Sequence, residues 1–291
     1  MKIKVACNQV MKLGEGPLWH PQEQCLYWVD IVSARLYRFD PEKNEVTQFK
    51  MPSEIGCIAW REQGGLVAAL RDRFVFINTS SGQITNIVSP LTAQDGDVMF
   101  NDGKCDRQGR FWAGTKDQEE VSSIASIYCL DAKQTVQKKL SGFTVSNGLA
   151  WSLDNRTLYI CDSPQGAIYQ YDFDPLHGQI GACRLFARVA ASEGYPDGLT
   201  VDRDGYLWNC HWDGWRMTRY KPSGEIDSVL SMPVPRPTSC CFGGPDLKTL
   251  YVTSASLGLS RAVLEDAPLS GQTFALSLEN VQGIPEPAYQ G

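Results

Sequence analysis

One unit recurs six times along the chain, and this repetition constrains the fold more than any other feature of the sequence. Its core is a short apolar strand, a polar turn, and a second strand opening on an aliphatic-aromatic pair or a close equivalent. The first three copies read Leu18-Trp19-His20-Pro21 to Leu26-Tyr27-Trp28, Ile58-Ala59-Trp60-Arg61 to Leu66-Val67, and Cys105-Asp106-Arg107 to Phe111-Trp112. The others read Leu149-Ala150-Trp151-Ser152 to Leu158-Tyr159, Thr200-Val201-Asp202-Arg203 to Leu207-Trp208, and Cys241-Phe242-Gly243-Gly244 to Leu250-Tyr251. Aligning Tyr27, Val67, Trp112, Tyr159, Trp208 and Tyr251 gives steps of about 40 to 50 residues, the length of a four-stranded propeller blade.

A third strand follows in most copies, as in Arg35-Leu36-Tyr37-Arg38-Phe39 and Ala167-Ile168-Tyr169-Gln170-Tyr171, and turn pairs such as Asp40-Pro41 and Ser223-Gly224 close the units. No long window carries a 3.6-residue period, so helix content is expected to be very low. The last copy runs out at Thr273-Phe274-Ala275-Leu276-Ser277-Leu278, while Ile3-Lys4-Val5-Ala6 is a spare strand that would pair with it and remove an exposed edge. The pattern predicts an all-β chain: a six-bladed β-propeller of four-stranded antiparallel blades, its last blade closed by the N-terminal strand, with residues 1–291 forming a single domain. A β-sandwich would lack so regular a repeat.

Composition narrows the partners. The 291 residues are 43% hydrophobic and 10% aromatic, enough for a large core, and the net charge is −6. No Lys/Arg cluster offers a phosphate backbone a footprint, which argues against nucleic acid. Met1 to Val10 lacks the apolar core of a signal peptide and no apolar run approaches the length of a membrane span, so a cytoplasmic protein without membrane contact is expected. The ten cysteines show neither a C-x-x-C pair nor zinc-ligand spacing, and most are read as reduced, buried residues. A monomer or weak homo-oligomer is expected.

Superposing the six units shows which residue begins the innermost strand of each blade: Glu15, Gly56, Asn101, Asn147, Asp197 and Thr238, with Asp102 the alternative to Asn101. Pseudo-symmetry makes these positions converge on one mouth of the central channel. Asn and Asp often serve local turns, but oxygen-bearing side chains at four equivalent places indicate a shared purpose. Two are carboxylates, and a bound divalent cation is the simplest way for both to stay ionised. An all-oxygen set with amides suits Ca, Mg or Mn, with Zn or Fe(II) also open.

Five segments carry a resemblance that spans nearly the whole chain. They are Gly14-Glu15-Gly16-Pro17 with Trp19, Phe100-Asn101-Asp102-Gly103-Lys104, Ser146-Asn147-Gly148-Leu149-Ala150-Trp151, Tyr195-Pro196-Asp197-Gly198, and Thr238-Ser239-Cys240-Cys241-Phe242-Gly243-Gly244. Together they resemble the senescence marker protein/gluconolactonase/regucalcin family of six-bladed propellers. The resemblance implies a divalent metal on Glu15, Asn147 and Asp197, with Asn101 and Asp102 on its substrate side. It also implies a small sugar lactone as substrate, although some members were first described as calcium-binding regulators. Relatives often carry an Arg that contacts sugar hydroxyls where this chain has Met99, so the substrate-binding position at Met99 departs from the pattern.

The expected activity is therefore metal-dependent opening of an aldonolactone to the aldonic acid. The cation would polarise the carbonyl, and Asp197 would orient or deprotonate the attacking water, in competition with a hydroxide generated at the metal. Asn101 would donate to a ring or carbonyl oxygen and Asp102 would take a sugar hydroxyl. A non-catalytic calcium-binding regulator is the alternative. His20 and His177 read as solvated and His211 as packed, while Trp208, Trp212 and Trp215 read mainly as core.

Overall fold

A computed structural model describes residues 2–291. Six four-stranded antiparallel sheets form a ring of blades. The innermost strands are Gly14–His20, Ile55–Trp60, Val98–Cys105, Ser146–Trp151, Tyr195–Val201 and Pro237–Gly243. Each packs against the next, and the last against the first, around the central channel. The sole α-helix among the described residues is the six-residue Arg261–Asp266. No helix there is long and apolar enough to cross a membrane.

The core is divided into wedges, one at each interface between neighbouring blades. In strand Cys25–Asp30 every residue is buried, because the sheet is covered on both sides. Side chains alternate across a strand, so Cys25, Tyr27 and Val29 meet the second blade while Leu26 and Trp28 meet the sixth. Apolar runs in the middle strands are thus continuous rather than alternating. Only outer strands such as Glu45–Lys50 show an exposed face.

The ring closes as the pattern predicts. Strand Lys2–Cys7 pairs antiparallel with Thr273–Ser277, setting Ile3 opposite Leu276 and Val5 opposite Phe274. The sixth blade is therefore built from both ends of the described chain. Beyond it, residues 279–291 cross the far side of the ring. Gly283 N–H donates to Leu247 O, and Tyr289 N–H donates to Trp60 O, both at 2.8 Å. The Tyr289 ring is fully buried between the second and third blades, and its hydroxyl donates to Asp131 O at 2.7 Å.

Candidate functional site

All six innermost strands break register with their neighbours at equivalent places. The interruptions fall between Glu15 and Leu18, Ile55 and Cys57, Phe100 and Gly103, Asn147 and Leu149, Pro196 and Leu199, and Pro237 and Cys240. Each contains or adjoins the residue that the repeat alignment singled out. A bulge turns one side chain out of the strand's alternation, and here it turns toward the channel mouth. Glycine makes this possible in two ways. Gly148 has φ +43°, which disfavours any side chain. Gly56 has an ordinary φ, but a Cβ there would lie 2.6 Å from Phe100 O of the next inner strand.

Glu15, Asn101, Asn147 and Asp197 meet in the wall of one cavity of about 530 Å³. They come from the first, third, fourth and fifth blades. The other two equivalent positions contribute nothing polar to it. Gly56 has no side chain, and the Thr238 hydroxyl donates to Gly14 O at 2.5 Å, joining the sixth blade to the first. The choice between Asn101 and Asp102 falls to Asn101. Asp102 lies deeper along the inner strands, lining a narrow cavity with Lys104, Cys240 and Glu286, and its Oδ1 accepts from Gly103 N–H at 2.7 Å. Met99 does not reach the cavity either. Its side chain is buried in the apolar wedge between the first two blades.

Charge at this floor is uncompensated. Burial, then Asp197 and Asp102, push the Glu15 carboxyl well above the usual carboxylate range. Burial, then Asp102 and Glu120, do the same to Asp197, opposed by Gly198 N–H and the Asn147 side chain. Asp102 itself is raised by burial. Two buried oxygens, Asn147 Oδ1 and Asp197 Oδ1, have no hydrogen-bond partner. Such groups cost about 1–3 kcal/mol each unless something occupies the site they face. Among the described residues no three His, Cys, Asp or Glu side chains gather into a metal-binding group. The oxygen-bearing side chains gathered at the floor are the carboxylates of Glu15 and Asp197 and the amides of Asn101 and Asn147.

A second layer holds these groups in place. Asn147 Nδ2 donates to Ser163 Oγ at 3.2 Å, and Ser163 Oγ donates to Pro196 O at 2.7 Å. The amide is thereby oriented with its Oδ1 free. Asn209 Nδ2 donates to Asp197 O at 2.9 Å and Gly198 O at 3.2 Å, pinning the bulge that carries Asp197. Asn101 Nδ2 donates to Ser146 O at 3.2 Å, which ties the third blade to the fourth and leaves Oδ1 and one amide hydrogen available.

Sequence reasoning did not select Ser163, Lys116, Glu120, Tyr195 or Arg236, all of which line the cavity beside Trp212. Tyr195 opens an inner strand, and the others sit on loops and on a second-strand end, where the repeat supplies no alignment. The three tryptophans divide: Trp208 is buried core, Trp212 lines the cavity, and Trp215 is 43% exposed. His20 is buried against Trp60 rather than solvated, accepting Glu23 N–H at Nδ1. His177 is exposed, and His211 is buried with Nδ1 on Glu193 O.

Comparison with known proteins agrees with this architecture. The family model described as "SMP-30/Gluconolactonase/LRE-like region" matches residues 13–256. The chain is 38% identical to a 6-deoxy-6-sulfogluconolactonase of Pseudomonas putida over 290 residues, covering 99% of each protein. It is 34% identical to regucalcin of Xenopus laevis, covering 100% of this chain and 99% of that one. Among solved structures, a regucalcin described as a calcium-binding protein from Agrobacterium tumefaciens superposes with a TM-score of 0.93 at 27% identity, covering 98% of this chain and 96% of that one.

Proposed function

The chain belongs to the SMP-30/gluconolactonase/LRE-like family, and from that membership we propose that it hydrolyses a sugar lactone in the cavity floored by Glu15, Asn101, Asn147 and Asp197. The observation that carries the reading is the pair of partnerless oxygens, Asn147 Oδ1 and Asp197 Oδ1, buried beside Glu15 in that floor. Three negatively inclined oxygen donors without a counter-charge fit a divalent cation, and their oxygen-only chemistry suits a hard or borderline ion. Glu15, Asn147 and Asp197 would hold it. The cavity volume, about 530 Å³, falls within the range of about 300–1,000 Å³ typical of small-molecule sites.

When bound, the cation supplies a fixed positive charge next to the lactone carbonyl, worth several kcal/mol as negative charge develops on its oxygen. Asp197 orients the attacking water and accepts its proton, its side chain lining the cavity and its Oδ1 free of any hydrogen-bond partner. Asn101, with one amide hydrogen and Oδ1 uncommitted, holds a ring oxygen or hydroxyl of the sugar. Ser163 keeps Asn147 in register, and the buried floor limits competing water. Asp102 acts through its field on Glu15 and Asp197 rather than by contact with the sugar.

The test is a panel of aldono-1,4- and aldono-1,5-lactones followed by pH-stat, with chelated protein reloaded by individual divalent metals. Turnover should require metal, and Asp197→Asn should lower kcat by about 100-fold or more. Full activity after chelation, or in the variant, would overturn the mechanism. Calcium binding without turnover of any lactone would favour a regulator built on the same donors.

A further inference from the structure

We infer that Arg236 selects the substrate at the end remote from the lactone carbonyl, and that the substituent it takes is an anionic, oxygen-rich group such as a carboxylate or sulfonate. The inference rests on the cavity being the lactone site proposed above. Depth in the cavity is marked by burial. Glu15, Asn147 and Asp197 are buried at the floor, whereas Arg236, Trp212, Tyr195 and Leu257 are partly or fully exposed at the rim. A lactone with its carbonyl at the floor therefore presents its far end to the rim.

The Arg236 guanidinium is fixed there from three directions. Nε donates to Asp213 Oδ1 at 2.5 Å and one terminal nitrogen to Asp213 Oδ2 at 3.2 Å. The other terminal nitrogen donates to Leu257 O. The group also lies over the Trp212 ring, 4.4 Å from its centroid. Of the five N–H donors of an arginine, this leaves one on each terminal nitrogen. Two free donors on one rigid plane match two oxygens of a single group, the geometry by which arginine recognises carboxylates and related anions. Asp213 is 41% exposed, so solvent screens its charge while its geometry still holds the fork.

Lys116 on the third blade is less suited to the task. Its ammonium is 2.6 Å from Glu120, a compact ion pair without a planar fork. Electrostatics across the cavity favour the same division of labour. Among the described residues the floor carboxylates Glu15 and Asp197 have no cationic partner, whereas Glu120 and Asp213 are each paired with a cation, so an anionic substituent is best placed away from the floor, beside the guanidinium. The sulfonated lactone in the name of the Pseudomonas putida relative is one molecule of this class.

The experiment compares an unreactive hexose 1,5-lactam with the same lactam bearing a 6-sulfonate, by calorimetry on the metal-loaded protein. The wild-type chain should bind the sulfonated compound about tenfold or more tightly, the scale of one charge-assisted bidentate contact. Arg236→Gln should bring the two affinities together. Asp213→Asn, which keeps the cation and loosens its anchor, should retain part of the preference. In turnover, the ratio of kcat/KM for charged over uncharged lactones should fall in parallel, chiefly through KM. Equal binding of both lactams by wild type overturns the inference, whatever the variants do, and so does an undiminished preference in Arg236→Gln. A preference that Arg236→Gln abolishes, in a protein that opens no lactone, supports the role of Arg236 and refutes the hydrolase reading alone.

Discussion

Asn147 illustrates how a single side chain is aimed. Its amide has no intrinsic preference for the channel, but Ser163 Oγ takes the Nδ2 hydrogen and is itself anchored on Pro196 O, so Oδ1 is the end left without a partner. Outer partners of this kind commonly change metal affinity by about 10- to 100-fold. Ser163→Ala should therefore weaken divalent-cation binding by about that factor, measured by competition with a chelating dye, with little change in fold by circular dichroism. Glu15 and Asp197 make the complementary point. Both are buried among like charges. Glu15→Gln should leave the chelated protein at least as stable as wild type in urea, because it removes a buried charge that nothing offsets. The same variant should lose most of the stabilisation that added cation gives the wild type.

At the level of the strand, two blades share a device that the repeat carries in plain view. Asp106 and Asp202 each open the turn after an inner strand and are fully buried. Asp106 Oδ2 accepts from Trp112 Nε1 at 2.8 Å and Arg110 Nε at 2.6 Å, and its Oδ1 accepts from Gln108 N–H at 2.9 Å. Asp202 repeats this with Trp208 Nε1 at 2.9 Å, Arg219 Nε at 2.9 Å and Asp204 N–H at 3.0 Å. One carboxylate thus fixes the turn, the second-strand tryptophan and an arginine together. Asp106→Ala leaves the Arg110 guanidinium with only Pro175 O and orphans the indole N–H. Losing one partner of a buried pair costs about 3–5 kcal/mol, which a denaturant midpoint would register. Inner-strand bulges are the other device at this scale. They convert a regular strand into a holder for one inward side chain, and all six blades have them although only four deliver a polar group to the cavity.

Across the whole molecule, stability depends on ring closure. The sixth blade lacks its outermost strand without Lys2–Cys7. Deleting that strand uncovers the Thr273–Ser277 edge and opens the apolar wedge around Cys7 and Ala275. Tm should fall by roughly 10 °C or more, the effect of a few kcal/mol in a chain of this size. Light scattering should report aggregation through the freed edge. A synthetic Lys2–Cys7 peptide should partly restore Tm, an outcome that a merely local role for these residues would not give.

The repeat by itself determined the architecture, because a blade is specified by local patterning: a period of two along each strand, turn residues between strands, and one step of about 40 to 50 residues from unit to unit. It also determined four of the residues that meet at the channel mouth, since symmetry turns equal positions in sequence into neighbours in space. Tertiary structure decided what symmetry leaves open. A one-residue bulge sends Asn101 into the cavity and Asp102 deeper, a distinction that no spacing encodes. Thr238 spends its hydroxyl on Gly14 O of the first blade, while Glu15, Asn101, Asn147 and Asp197 line the cavity. Ser163, Trp212 and Arg236 reach the site from loops and strand ends whose positions depend on neighbouring blades packing against them. The buried charge of the floor likewise exists only once the blades are assembled, when residues far apart in the chain leave water together.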